Sequence, residues 1–185
     1  MGFHTFPTDR AEALEDDSRY RFCSREELVA ALSLSGDETV ADLGSGTGFY
    51  TDDVAPFAAT VYAVDVQPEM HDIYREKGLP GNVDPVTASI DDLPFDDDAL
   101  DAAYSTMTYH EYAGEGALAE LRRVLAPGGR LVTVDWTATG DGESGPPVTE
   151  RFSLDDAVEH HEDAGFAVDT ASTRPETFLL TASLE

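Results

Sequence analysis

Short apolar runs alternate along this chain with segments whose apolar residues recur at helical spacing. The runs Thr39 to Leu43, Thr60 to Val64, Val83 to Thr87, Ala102 to Thr106 and Arg130 to Trp136 predict five strands. Helices are predicted between them, from about Phe49 to Phe57, from Pro68 to near Gly78, and from Gly116 to Leu125. Pro68 suits a first helical position, and Pro127-Gly128-Gly129 stops the last of these. An earlier helix opens on Ser24-Arg25-Glu26-Glu27, which reads as a capping box, and carries a stripe of Leu28, Ala31 and Leu32 as far as Gly36-Asp37. Leu154 to Ala164 predicts a helix ended by Gly165. Phe166 to Thr170 and Thr177 to Thr181 predict two final strands.

Strands alternating with helices imply a mostly parallel, doubly wound α/β sheet with helices on both faces. The last two strands are joined only by residues 171–176, whereas a parallel crossover needs a dozen or more. That pair must be antiparallel. The chain reads as a single domain: residues 1–37 as an N-terminal arm and helix, 38–136 as the core, 137–151 as a glycine- and proline-rich candidate lid, and 152–185 as a helix with the antiparallel strands. The arm is polar with scattered aromatics, Phe3, Phe6, Tyr20 and Phe22, which must pack on something. In open α/β sheets ligands bind outside the carboxyl ends of the strands. The turn Gly44-Ser45-Gly46-Thr47-Gly48 stands there.

Charge narrows the function. The 185 residues hold 38 acids and 11 bases, a net charge of −27. A field of that sign repels phosphate backbones and anionic lipid, so neither nucleic acid nor membrane is an expected partner. Ten of the bases are arginine, Lys77 is the only lysine, and the acids are spread along the whole chain. This resembles the composition of proteins from salt-accumulating halophiles. Cys23 is alone, which excludes an intramolecular disulfide and a cysteine zinc site, and it is expected to be a small buried apolar group. No apolar run approaches the roughly 20 residues of a membrane span, and Met1 to Arg10 holds no apolar signal region. A cytoplasmic location is expected.

The glycine turn carries the chemistry. Glycines at alternate positions permit positive φ and a close ligand approach. The dinucleotide fingerprint Gly-x-Gly-x-x-Gly would need glycine where Phe49 stands. Asp42, two residues before the turn, disfavours a pyrophosphate and favours a cation. Asp65 follows Gly44 by twenty-one residues, at the end of the second strand, where a carboxylate accepts both hydroxyls of a ribose. A ribose-bearing, positively charged, phosphate-free ligand fits, and S-adenosylmethionine is one.

Over nearly its whole length the chain resembles a class I S-adenosylmethionine-dependent methyltransferase of the type 11 kind. Asp42 to Gly48 resembles the first family motif and Val64-Asp65 the second. Asp92-Leu93-Pro94-Phe95 and Leu121 to Leu131, which includes Arg122-Arg123 and Pro127-Gly128-Gly129, resemble two further segments in the family's order. The resemblance implies a Rossmann-like seven-stranded sheet. It also implies a cofactor site of Asp42, Gly44, Ser45, Gly46, Gly48, Asp65, Val66, Ser89, Ile90, Ser105 and Thr106. Ala88-Ser89 departs from the Gly-Asp that many relatives carry. Ser89 then takes the place of an adenine-binding aspartate without its charge, with Asp91 as a partial substitute and Ile90 packing on the adenine.

On the acceptor side, His110-Glu111 follows the fourth strand on the same edge. A subset of relatives pairs such a His-Glu with a Gly-Pro-Pro…Arg loop, matched by Gly145-Pro146-Pro147 and Arg151. The resemblance makes His110 the candidate general base, with Glu111 orienting it or binding substrate; a purely structural His110 stays open. Tyr20, Arg21, Tyr109 and Arg151 are candidate substrate residues. Arg151 either holds an anionic acceptor group or pins its loop to an acid. His160 and His161 point about 100° apart on a helix, do not chelate as a pair, and read as part of a solvated face, so no metal is expected. A small-molecule methyltransferase is the main reading, because no large insertion supplies a polymer-binding domain. A non-catalytic binding or scaffold protein of the same fold is the alternative. Oligomeric state is not legible.

Overall fold

In a computed structural model describing residues 6–185, the strands are β1 (Thr39–Leu43), β2 (Thr60–Asp65), β3 (Val83–Thr87), β4 (Leu100–Thr106), β5 (Leu125–Trp136), β6 (Phe166–Thr173) and β7 (Thr177–Leu184). Phe3 of the arm lies outside the described residues. The strands form one sheet in the order β3-β2-β1-β4-β5-β7-β6. The first four pairings are parallel, and β7 runs antiparallel to both β5 and β6. The order reverses between β1 and β4, so their carboxyl ends open a crevice.

The helices are α1 (Arg25–Leu32), α2 (Phe49–Val54), α3 (Pro68–Lys77), α4 (Tyr109–Tyr112), α5 (Glu115–Val124) and α6 (Leu154–Asp163). One face of the sheet packs Leu28, Val54 and Tyr74 from α1, α2 and α3 against Val40, Val61 and Val132. The other packs Leu118, Leu121 and Ala157 from α5 and α6 against Leu43, Leu131 and Leu180. Each fully buried leucine contributes about 1.5–3 kcal/mol of transfer free energy. The domain therefore has two apolar layers, one on each side of the sheet.

Several boundaries differ from the sequence pattern. β5 begins at Leu125, because Leu125 pairs with Leu100 before Arg130 pairs with Ala102. The glycine-proline stop lies inside that register shift. The polar arm coils into 3₁₀ turns at Thr8–Glu15 and Asp17–Arg21, which have no strong helical stripe to announce them. At α1 only half of the capping box forms. Ser24 accepts the Glu27 N–H, but the Glu27 carboxylate goes to Arg174. A complete box forms instead at Ser153 and Asp156.

His161 corrects the solvated-face reading of α6. It is fully buried, with Nδ1 on the Ala157 carbonyl at 2.7 Å and Nε2 on Thr133 Oγ1 at 3.2 Å. Burial pushes its pKa down to about 4, so it is a neutral core residue. Cys23 is likewise buried, and desolvation raises its thiol to about 12. Among the described residues no helix is long and apolar enough to cross a membrane.

Candidate active site

The crevice at the carboxyl ends of β1, β2 and β4 opens into a cavity of about 980 Å³. Gly44, Ser45 and Gly46 form part of its wall, with Asp65 at the end of β2, Val66 just after it and Thr106 at the end of β4. Three glycines of the turn hold positive φ: Gly44 at 76°, Gly46 at 54° and Gly48 at 81°. Two of them also lack room for a side chain. A Cβ on Gly44 would stand 2.4 Å from Thr108, and one on Gly48 would stand 2.1 Å from the Tyr74 ring.

The turn's donors are already used. Gly44 and Ser45 N–H both donate to the Val64 carbonyl, at 2.8 and 2.9 Å. Gly46 N–H donates to Asp65 Oδ2 at 2.9 Å, and Gly48 N–H donates to the Ser45 carbonyl at 2.9 Å. Phosphate cradles work by presenting free N–H groups, and this turn leaves few. What it offers is a glycine surface beside a carboxylate. Asp65 is held by two N–H groups, from Gly46 and, at 2.9 Å, from Gln67, which aim it while leaving lone pairs for a ligand diol.

Asp42 lies beneath the turn, off the cavity wall. It is 1% exposed, and its Oδ2 accepts the Thr51 hydroxyl at 2.6 Å while Oδ1 has no partner. Burial pushes its pKa up to about 6, against the opposing pull of Thr51, Tyr104 and Arg19. Ser45 Oγ, in the wall itself, is also buried without a partner. A ribose diol suits Asp65 and a cationic end suits the negative charge of Asp42 beneath the turn, so the residues present fit S-adenosylmethionine.

The N-terminal arm roofs this end. Thr47 donates to Glu15, which also pairs with Lys77 at 3.1 Å. Tyr50 donates to the Cys23 carbonyl at 3.0 Å. Arg19 lies over the rings of Phe49 and Tyr50 at 4.9 and 5.1 Å and donates to the Leu14 carbonyl. Its desolvation lowers the guanidinium pKa. A largely buried cation in the wall is placed to receive a ligand carboxylate.

Opposite stands an acid–base cluster. His110 Nδ1 lies 3.0 Å from both oxygens of Asp135, which also accepts the His110 backbone N–H at 2.6 Å. Asp135 is fully buried in β5. Nδ1 therefore carries the proton, and Nε2, 3.9 Å from Glu111 Oε1, is the free base position. Burial opposes charge on His110, but Asp135, Glu111 and Glu150 together outweigh it and raise its pKa. Burial also raises Glu111 to about 7, despite His110.

Of the expected cofactor residues, Gly44, Ser45, Gly46, Asp65, Val66, Ser89, Ile90 and Thr106 line the cavity. Asp42, Gly48 and Ser105 stand behind it; the Ser105 hydroxyl pairs with Tyr112 at 2.8 Å. Asp91 does not substitute for Ser89, because it is exposed and faces Gly116 at the start of α5. His110, Glu111 and Arg21 line the cavity, whereas Tyr20, Tyr109 and Arg151 do not. Tyr20 donates to Asp53 at 2.8 Å, and the Tyr109 hydroxyl pairs with His160 at 2.9 Å. Arg151, the last residue of the 137–151 loop, is buried and bound to Glu176 at 3.1 Å and to the carbonyls of Ser144, Pro146 and Thr137. It pins the loop to an acid. The sequence reading missed Asp135, Arg19, Arg10 and Trp136. An acid inside the apolar run Val132 to Trp136 was a usable signal for the first.

Residues 41–133 match the family model described as a methyltransferase domain. The crystal structure of a SAM-dependent methyltransferase from Aquifex aeolicus superposes with a TM-score of 0.86 at 30% identity, covering 97% of this chain and 100% of that one. An uncharacterised methyltransferase-like protein of Schizosaccharomyces pombe is 33% identical over 74% of this chain and 53% of its own length. The demethylmenaquinone methyltransferase of Tropheryma whipplei is 34% identical over 61% of this chain and 48% of its own length. The chain thus spans about half the length of these two curated relatives.

Proposed function

The chain belongs to the methyltransferase domain family, and from that premise we propose that it transfers a methyl group from S-adenosylmethionine to a small-molecule acceptor held in the cavity. The observation that carries the cofactor assignment is the turn itself. Its N–H groups are tied inward while Asp65 is aimed by Gly46 and Gln67, an arrangement that suits a diol without a phosphate.

When bound, S-adenosylmethionine supplies an electrophilic methyl group on a sulfonium. The chain's residues do the rest. Asp65 would hold the ribose hydroxyls, Ile90 and Val66 would pack beside the adenine, and the Ser89 hydroxyl would accept a hydrogen bond from its amino group. Arg19 would receive the carboxylate, and Asp42 would favour the ammonium by its negative charge beneath the turn. The arm and the 137–151 loop keep water from the acceptor, which matters because orientation is the main catalytic task. His110, held by Asp135, removes the acceptor's proton at Nε2. A demethylmenaquinone methyltransferase among the relatives supports a small acceptor over a polymer. So does the −27 net charge, which disfavours nucleic acid.

Calorimetric titration of S-adenosylmethionine and S-adenosylhomocysteine into the folded protein tests the reading. Micromolar binding to the wild type and its loss in Asp65→Ala are expected. Binding unchanged in Asp65→Ala would overturn the ribose assignment. No binding at all would favour the scaffold alternative, with the uncharged Ser89 as the first position to examine.

A further inference from the structure

Cations are scarce in this chain, yet they gather at the cavity. Three of the 11 basic residues, Arg10, Arg19 and Arg21, line it. Among the described residues none of the three has a carboxylate at ion-pair distance. Five of the 11 basic residues, Arg10, Arg19, Arg21, Arg122 and Arg130, lack such a partner among the described residues, and three of these five face the cavity. Arg19 is accounted for by the cofactor end. Arg10 and Arg21 are not.

Both are exposed side chains of the arm. Arg10 rests over the Phe6 ring at 5.8 Å and Arg21 over the Phe22 ring at 4.5 Å, so each guanidinium is braced by an aromatic plane. Arg21 also donates to Ser144 Oγ at 2.9 Å, which ties the arm to the 137–151 loop. Asp16 senses the charge of Arg21, behind the stronger effect of its bonds from Ser18, but stays outside ion-pair range. Bracing by a ring and a hydroxyl leaves the remaining N–H donors of the fork available, and their geometry matches carboxylate or phosphate.

The surrounding wall is largely apolar. Phe22 packs on Trp136 with ring centroids 4.6 Å apart, and Gly145, Pro146 and Pro147 continue the wall. Gly145 admits no side chain there, because a Cβ would come within 2.4 Å of the Trp136 ring. The carboxylates that share the cavity have other work. Asp65 faces the ribose, and Glu111 sits beside His110. Exposed Glu150 remains, and it disfavours a second negative group on the ligand.

We propose that the acceptor is a small acid, with one carboxylate or phosphate gripped by Arg10 and Arg21 and its apolar body lying against Phe22, Trp136 and the Gly-Pro-Pro wall. This deepens the methyltransferase reading and rests on it. The grip also explains how a protein of net charge −27 collects an anion. The long-range field is repulsive, and the two arginines act inside the screening distance, about 8–10 Å at ordinary salt.

Binding rather than turnover tests it. The wild-type protein with saturating S-adenosylhomocysteine is titrated with 4-hydroxybenzoate, caffeate and phenyl phosphate, and with 4-hydroxybenzamide and caffeamide as neutral counterparts. At least one acid should bind tenfold or more tightly than its amide. The carboxylate and phosphate arms tell which anion is preferred. Arg10→Gln and Arg21→Gln should each weaken that acid at least tenfold while S-adenosylhomocysteine affinity changes less than twofold, and Arg21→Lys should recover part of the loss. Amides that bind as well as acids, glutamine variants that keep the acid, or a protein that binds S-adenosylhomocysteine but none of the acids would overturn the proposal and leave the cofactor reading intact. Arginine-dependent acid binding without any S-adenosylhomocysteine binding would uphold the anion site and sink the cofactor reading.

Discussion

His110 and Asp135 meet twice: the carboxylate takes the ring Nδ1 at 3.0 Å and the backbone N–H of the same residue at 2.6 Å. One buried acid on β5 thus fixes the position, tautomer and charge of a histidine on the short helix α4. The double contact exists because β4 and β5 are parallel neighbours in register, with Thr106 opposite Val134. The chain leaving β4 therefore turns back over the end of β5.

Asp135→Asn should keep the ring in place but lose its orienting charge. Turnover is expected to fall roughly 10²–10³-fold, within the range of general-base effects. The rising limb of the kcat/KM pH profile should move to lower pH, because Asp135 is a main cause of the raised His110 pKa. The stability linkage has a definite sign. The folded pKa is raised, so the pair's stabilisation is complete below about 6.5 and is lost as pH climbs through the raised value. A pH profile identical to wild type would show that His110 does not titrate in catalysis.

The sheet and the cofactor edge were legible because their signals are local. Alternation marks the strands, Pro68 opens α3, and the brevity of the β6–β7 link dictates its direction. Asp42, the glycine turn and Asp65 lie close in sequence, and the parallel pairing of β1 with β2 brings them together. The acceptor side was harder to read. Asp135 reaches His110 across 25 residues of chain, and Arg10 and Arg19 belong to an arm with no periodicity. Arg151 and Tyr109 looked functional by type and position, but burial and partners far along the chain turn them away from the cavity.

Gly48 carries a structural prediction. Its φ of 81° and the 2.1 Å approach of a Cβ to Tyr74 act together. Tyr74 has nowhere to go, because it is fully buried and its hydroxyl donates to Asp52 at 2.6 Å. Left-handed strain and overpacking together make Gly48→Ala cost about 2–5 kcal/mol. For a chain of this size Tm should fall by roughly 5–15 °C. A shift under about 2 °C by calorimetry would mean that the turn relaxes freely.

The net charge predicts a response to salt. With 38 acids in the chain, most of them at the surface and including the run Asp96-Asp97-Asp98, self-repulsion opposes the compact state. Screening shortens from about 10 Å at 0.1 M to about 3 Å at 1 M. Tm should therefore rise by several degrees between 0.1 and 2 M potassium chloride, with most of the gain below 1 M. A flat or falling curve would show that carboxylate repulsion does not limit stability and would remove the main support for a halophilic reading.

Asp42 should link cofactor binding to pH. Burial sets its pKa near 6, so at pH 5 the folded, ligand-free protein holds it mostly protonated. Relative to an unfolded value of about 3.9, this is a raised group. The stability it contributes is complete below about pH 4 and is lost as pH rises through 6, on the order of 3 kcal/mol in all. A ligand ammonium above the turn reverses part of that penalty by favouring the ionised form. Binding should then release a proton below pH 6, and S-adenosylhomocysteine affinity should be about tenfold weaker at pH 5 than at pH 7.5. Calorimetry in buffers of different ionisation enthalpy counts the released proton directly. Asp42→Asn should bind more weakly at pH 7.5 and lose most of the pH dependence. If the variant keeps the wild-type slope, the titration belongs to another group, with Glu111 the nearest alternative in the cavity wall.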